Sequence, residues 1–339
     1  MENKCDVLII GAGTTGIPAA IFASERGANV TLIDSAEKVG GTLHLSSGSL
    51  SAAGSSLQNK KGIKDNPKNH LNESIQINHG TGDINKIRLW QENSGDTLEW
   101  LLSIGLKYPD NQPVAAAGHE PYKIARITTP SGGGKTYIPV LESALMEKVN
   151  EGKCKLRLNT RMKKIINGTD GVIEGVVVVD ESGNEKNIYA KTILLACGGY
   201  SNSSELWKEY HNRPKRVYTY KHSNGDGIKE ALKLGAQFDL QDNLITTFGG
   251  TVDIDNIDDY WIHTLTFPEI RKPWEIFVNN NGKRFFNEEE LSQDFRERTI
   301  MNQPDWSCWL IYDDTIHKES PPLFRWDNEK IDRAFKSHP

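Results

Sequence analysis

At 339 residues the chain is long enough for two domains with a sizeable core and no need of disulfides or metal. Charged residues make up 25% and the apolar set 37%, and a formal net charge of -5 gives no basic field of the kind that nucleic acid requires. The four cysteines, Cys5, Cys154, Cys197 and Cys308, form no CxxC pair or haem motif. That pattern fits reduced thiols in a cytoplasmic protein.

From Asp6 the order is an apolar strand, a glycine turn, a helical stretch Ile17 to Arg26 and a second strand Asn29 to Asp34. This predicts a βαβ unit with a parallel sheet. The opening run Val7 to Ile10 is too short for a signal peptide and is followed by glycines rather than a cleavage site. Gly11, Gly13 and Gly16 make GxGxxG between strand and helix. The first glycine allows a tight turn and the second lets a pyrophosphate touch backbone. The third brings helix against strand, with free N–H groups aimed at the phosphates. Asp34 lies eighteen residues after Gly16, at the end of the second strand, where a carboxylate accepts both ribose hydroxyls. The alternative for the glycines is a plain packing turn, but strand, helix and acid in register point to a dinucleotide.

Gly40, Gly41 and Thr42, with Ser46 to Ser49, form a second small-residue loop suited to pass beside a pyrophosphate and a flavin. A nicotinamide domain has no need of it, so FAD is expected. The polar segment Gln58 to Asn72 predicts an exposed loop, and Ser94 to Ile104 a helix with Leu98, Leu101 and Leu102 on one apolar side. Between Lys155 and Ala196, strands broken by turns at Asn167 to Gly171 and Glu181 to Asn184 predict a small antiparallel meander that returns to the parallel sheet. It ends in ILLACGGY, where small residues such as Ala196 avoid a collision with the dinucleotide. A helix runs from Gly227 to Leu234, and beyond Leu244 the chain becomes rich in Trp and Pro. The fold class read from this order is α/β: a Rossmann-like FAD/NAD(P)-binding domain with an antiparallel meander over 1–243, then a second domain over 244–339.

Three other signals fail. GGGKT at Gly132 to Thr136 is not a phosphate loop, because the first glycine of GxxxxGK[ST] would stand at Thr129. The nine histidines show no pair at ligand spacing with supporting cysteines or carboxylates, so no metal is expected. Tyr260, Trp261, Trp274, Trp306 and Trp309 read as core rather than as a ligand box. No run of about 18 apolar residues predicts a membrane span.

Read together, DVLIIGAGTTG, GGTLHLSSGSL, the helix end Leu98 to Gly105, the strand into ACGGY, NGDGIKEALKLGA and NNNGKRFFNE resemble the fumarate reductase and succinate dehydrogenase flavoprotein family, which includes ketosteroid dehydrogenases. The likeness runs over nearly the whole chain. It implies that 244–339 is part of an α+β cap domain over the flavin. It carries the family's FAD contacts onto Gly11, Gly13, Thr15, Gly16, Asp34, Thr42, Leu43, Ser47, Gly48, Met162 and Asp226. Met162 would act through backbone beside the adenine, and Asp226 also reads as a helix N-cap. The histidine that carries covalent FAD in membrane-bound members falls at Thr42, with His44 two residues away, so the resemblance implies non-covalent FAD.

The implied chemistry is hydride transfer at flavin N5 to or from a CH–CH bond next to a carbonyl, on a small unsaturated carbonyl substrate, with room for an electron-transfer partner. The family's reductases deliver the proton through an arginine relay, which needs a neighbouring carboxylate because arginine hardly deprotonates alone. Arg271 matches one relay arginine, and Glu269 lies one residue from the matching carboxylate. The arginine expected before Asp294 is Gln293 here. Arg296 or Arg298 would have to substitute, although both read as solvated helix charges. The tyrosines Tyr122, Tyr137 and Tyr260 and the tryptophans lean toward a flat apolar substrate such as a steroid ketone rather than fumarate. The chain ends inside the cap, short of the family's last FAD-contacting segment, so weak FAD binding without turnover is expected of it alone. A non-catalytic flavin-binding protein, or an inactive fragment of such an enzyme, is the rival reading.

Overall fold

The apolar runs that open the chain become β1 (Lys4–Ile10) and β2 (Val30–Ile33), joined by α1 (Gly16–Glu25). All four residues of β2 are buried, as expected of a parallel strand covered on both faces. The computed structural model describes residues 3–117, 119–169, 171–211, 219–238, 248, 250–252, 260–268, 271–321 and 323. After β2 come β3 (Leu50–Ser51), α2 (Ser56–Lys60), α3 (Pro67–Ile77), α4 (Ile84–Ser103), β4 (Ala116–Ala117), β5 (Glu120–Pro121), β6 (Ile127–Thr128) and α5 (Tyr137–Asn150). Next are β7 (Cys154–Arg157), β8 (Arg161–Asn167), β9 (Ile173–Val179), β10 (Glu185–Leu195), α6 (Ser204–Tyr210) and α7 (Asp226–Lys233). The chain continues with β11 (Gly250–Val252), β12 (Tyr260–His263), β13 (Ile276–Val278), α8 (Gln293–Met301), β14 (Trp309–Ile311) and α9 (Asp314–Glu319). The chain divides into two units, Met1–Ser203 with Thr219–Phe238, and Ser204–Tyr218 with Asp239–Pro339.

The first unit is built on a six-stranded sheet in the order β7-β2-β1-β10-β9-β8. β7, β2, β1 and β10 run parallel, and β9 and β8 return antiparallel. This is the expected mixed sheet with its meander. One detail differs: Cys154–Arg157 extends the parallel half beside β2 instead of opening the meander. Strand alternation sends Ile9 to one face, where it packs with Ile17, Ala20 and Ile21 of α1 and Leu141 and Leu145 of α5. Leu8 and Ile10 point the other way, to Met162, Ile165, Val176, Val178 and Ile188. The helix α1 stops at Arg26, and Gly27 takes the left-handed conformation (φ 85°) with its N–H on the Ser24 carbonyl.

The segment read as an exposed loop, Gln58 to Asn72, is instead mostly helical. Its polar residues are caps: Ser55 and Gln58 form a reciprocal capping box on α2, and Asn66 accepts from the Asn69 N–H at the head of α3, with Pro67 in the first turn. α4 likewise begins well before Ser94, capped by Asp83. A buried ionic knot ties these helices to the sheet side. The fully buried Arg126 donates Nε and Nη2 to Asp65 (2.6 and 3.0 Å) and Nη1 to Glu73, while Gln58 Nε2 donates to Asp65 (3.0 Å) and the Ala125 carbonyl (2.8 Å).

In the second unit Phe248, Phe277 and Ile300 form a core with Phe285, Phe286 and Leu310 around them. Two of the four tryptophans expected in a core are exposed instead, Trp274 at 45% and Trp309 at 66%. Each stands on or beside the β13–β14 ladder, which gives Phe277 to the core instead. The side chains of Tyr260 and Trp261, and the boundary expected at Leu244, lie outside the described residues. Among the described residues no helix is long and apolar enough to cross a membrane.

Candidate dinucleotide site

The site forms where β1, β2 and β10 end side by side. Gly11 carries φ 110°, and a Cβ on it would lie 2.3 Å from the Ala196 carbonyl oxygen at the end of β10, so only glycine fits. Ala196 N–H in turn donates to the Ile10 carbonyl (2.8 Å). A Cβ on Gly16 would lie 1.7 Å from the Gly11 carbonyl oxygen, which seats the start of α1 directly on the turn. Gly13 is different. A side chain there would meet only the Gly41 Cα, at 3.8 Å, so the protein's own atoms leave room that the residue does not use.

A cleft of about 340 Å³ opens at this point, lined among others by Gly11, Gly13, Thr15, Asp34, Thr42, Met162, Ala196 and Asp226. These are eight of the sequence-derived contacts. Gly16 and Leu43 are buried behind the lining, Leu43 in the core shared with α1 and α5. Ser47 and Gly48 stand outside the lining on the second small-residue loop. That loop is joined to the first, because Gly40 N–H donates to the Ala12 carbonyl (2.8 Å) and Gly41 faces Gly13. Gly48 is braced from behind: its carbonyl accepts from the Tyr137 hydroxyl (2.8 Å), which also meets the Tyr108 hydroxyl (2.9 Å). The GGGKT segment, no phosphate loop, has its place here too, with Gly134 N–H donating to the Ser46 carbonyl (2.9 Å).

Asp34 uses one carboxylate oxygen on the Ala12 N–H (2.6 Å) and the other on the Ala36 N–H (2.8 Å). A carboxylate offers about four lone-pair sites, so acceptor capacity remains for ribose hydroxyls. At the head of α1 the Ile17 N–H donates to the Gly13 carbonyl (3.1 Å) and Pro18 carries no N–H, so the backbone that faces the cleft is the turn from Gly13, with Thr14 and Thr15 in the lining. Open space at Gly13, a helix N-terminus and an acid with spare acceptors fit a dinucleotide. Asp226 is not the N-cap: Gly225 is, in the left-handed conformation, and Asp226 sits in the first turn of α7. Its carboxylate is held by Arg161 through Nε (2.7 Å) and Nη2 (2.8 Å). His44 Nε2 lies 3.0 Å from the Val39 carbonyl, while Thr42 lines the cleft.

A family model described as FAD binding domain matches residues 6–337. The chain belongs to the FAD-binding domain family. Its cofactor is FAD. The probable fumarate reductase Ifc3 of Shewanella frigidimarina (strain NCIMB 400) is 28% identical over 96% of this chain and 53% of its own length. The open conformation of a flavocytochrome c3 fumarate reductase superposes with a TM-score of 0.74 at 26% identity, covering 98% of this chain and 55% of that one. The 3-ketosteroid-delta4-(5alpha)-dehydrogenase of Rhodococcus jostii RHA1 shares the fold, with a TM-score of 0.72 at 21% identity over 94% of this chain and 68% of that one. The chain spans about half the length of these curated relatives.

The residues expected to move a proton lie in the second unit. Arg271 is buried, with Nη1 on both oxygens of the buried Glu275 (2.7 and 2.6 Å), Nε on the Pro321 carbonyl (2.8 Å) and Nη2 on Ser320 Oγ (3.2 Å). The carboxylate beside it is thus Glu275. Glu269 lies outside the described residues. Arg296, read as a solvated helix charge, is fully buried, with its guanidinium carbon 4.6 Å from the Phe248 ring centre and 5.6 Å from that of Phe267. The i, i+3 and i+4 spacing of α8 turns it inward with Ile300, whereas Arg298 is exposed and pairs with Asp294 (2.8 Å). The sequence reading missed Ser35, Thr160, Arg161, Tyr220, His222 and Ser223 in the cleft. Ser35 and Arg161 adjoin residues it did name. Tyr220 and His222 gave no signal.

Proposed function

We propose that this chain is the FAD-holding part of an oxidoreductase acting on a CH–CH bond next to a carbonyl, with an enoate reductase of the fumarate reductase kind as the first reading. The single observation that carries it is the cleft in which both glycine loops and Asp34 meet. Bound FAD supplies a hydride acceptor or donor at its N5. The chain's own residues bind and orient. The α1 N-terminus and the backbone at Gly13 receive the pyrophosphate, and Asp34 takes the ribose hydroxyls. Gly41, Thr42 and the loop to Gly48 lead toward the ring system. Thr42 has no nucleophilic nitrogen, and His44 is occupied at Val39, so the cofactor is held without a covalent link.

Proton delivery falls to Arg271, with Glu275 as the carboxylate that makes a guanidinium relay chemically workable. Glu269, one residue from the family's carboxylate position, and Arg296, standing in for the arginine that Gln293 replaces, are the further candidates. The activities of the relatives favour the reductase direction. The test is a spectrum of the purified protein, followed by anaerobic reduction and reoxidation with a panel of enoates and enones. Reoxidation by an enoate supports the reading. Reoxidation by 3-keto steroids alone, or by no member of the panel, favours the dehydrogenase or the non-catalytic alternative.

A further inference from the structure

We propose that Tyr220 and His222, joined to Ser35, form an aromatic wall that grips the adenosine half of FAD, a role that deepens the reading of the cleft as the cofactor site. The glycine turns and Asp34 make one side of the cleft, and Thr160, Arg161 and Met162 add the start of β8. Tyr220, His222 and Ser223 come from the loop that leads into α7, and they line the same space. His222 Nδ1 is 3.2 Å from Ser35 Oγ, and Ser35 directly follows Asp34. That contact places the His222 ring at the ribose end of the cleft rather than at its flavin end. The Tyr220 and His222 rings stand 5.2 Å apart, inclined by 43°. Burial, and then the charge of Asp34, push the Tyr220 phenol above its ordinary range, so near neutral pH it remains a hydrogen-bond donor close to the carboxylate.

The loop is held in shape from within the first unit. Ser223 N–H donates to the Tyr220 carbonyl (2.9 Å) and Asn224 N–H to the His222 carbonyl (2.9 Å). Asn202 then fastens it, through its N–H to the Ser223 carbonyl (2.9 Å) and its Nδ2 to the Lys221 carbonyl (2.8 Å) and Asn224 Oδ1 (2.8 Å). Two rings with polar edges on a pinned turn are arranged before the ligand arrives, which lowers the ordering cost of binding. A purine with its ribose suits that surface, because any base offers a π face to an aromatic side chain and the sugar offers hydroxyls to the edges.

Titration calorimetry of the full chain with ADP and with FAD tests this, on wild type, His222→Ala, Tyr220→Ala and the ring-retaining Tyr220→Phe, each checked for an unchanged thermal melt. Loss of about tenfold or more in ADP affinity in both alanine variants, matched by the same factor for FAD and smaller in Tyr220→Phe, is the result expected. Unchanged ADP affinity in the alanine variants overturns the aromatic wall while leaving the cofactor site standing. Failure of the wild type itself to bind FAD and ADP overturns the reading of the cleft beneath it.

Discussion

Gly13 separates binding from folding at the level of a single atom. Gly11→Ala and Gly16→Ala push a methyl group into backbone oxygens at 2.3 and 1.7 Å and are expected to disrupt the first unit. Gly13 is not among the left-handed glycines, and its methyl would meet only Gly41 Cα at 3.8 Å. Gly13→Ala should therefore melt within a few degrees of wild type yet bind FAD about tenfold or more weakly, because its methyl stands where a pyrophosphate would. Asp34→Ala should lose about 1–3 kcal/mol of FAD affinity by leaving ribose hydroxyls unpaired, read by fluorescence titration. His70 makes a different prediction. It is fully buried, neither ring nitrogen has a hydrogen-bond partner among the described residues, and burial first, then the Arg126 charge, lower its pKa to about 4. The unfolded chain binds the proton below about pH 6.5 while the folded protein resists until about 4, so this stability is full above 6.5 and drains away as pH falls toward 4. Urea unfolding at pH 7.5 and pH 5 should differ by about 2 kcal/mol from this group, and His70→Phe should flatten that slope. Equal slopes would deny the buried neutral ring.

Among the elements, the second small-residue loop depends on a brace that its own sequence does not contain. Tyr137 spends its only proton on the Gly48 carbonyl, so Tyr108 must donate to Tyr137, and Ser49 Oγ meets Thr129 Oγ1 at 2.9 Å beside them. Tyr137→Phe leaves a buried carbonyl unpaired. It should cost about 1–3 kcal/mol in unfolding free energy and speed FAD release in stopped flow, whereas Tyr108→Phe should cost less. The glycine turns, the strands β1 and β2 and the meander are legible in the sequence because each is a local pattern of a few contiguous residues. α2 and α3 are not, because Asn, Lys and Pro read as loop composition until Asn66 and Ser55 are seen to cap helices. The Arg161–Asp226 pair and the place of Tyr220 and His222 stay hidden for another reason. They arise from residues far apart in sequence, and no periodicity records that closure.

At the scale of the molecule, the two units divide binding from the proposed proton relay, so variants in one should leave the other measurable. Arg271→Gln abandons Glu275 as a buried unpaired charge and should cost about 3–5 kcal/mol, with Arg271→Gln/Glu275→Gln regaining much of it. If the pair also carries a proton, the double variant should melt like wild type but turn over about 10²–10⁴-fold more slowly with FAD still bound. Full turnover in a well-folded double variant would leave the pair a purely structural one. The central claim is that the glycine loops and Asp34 hold FAD without a covalent bond. It is tested most directly by heating the purified protein and identifying what is released, alongside the mass of the remaining polypeptide. FAD in solution and a bare chain are the expected result. FMN, a nicotinamide nucleotide, or a flavin mass still attached to the polypeptide would contradict it.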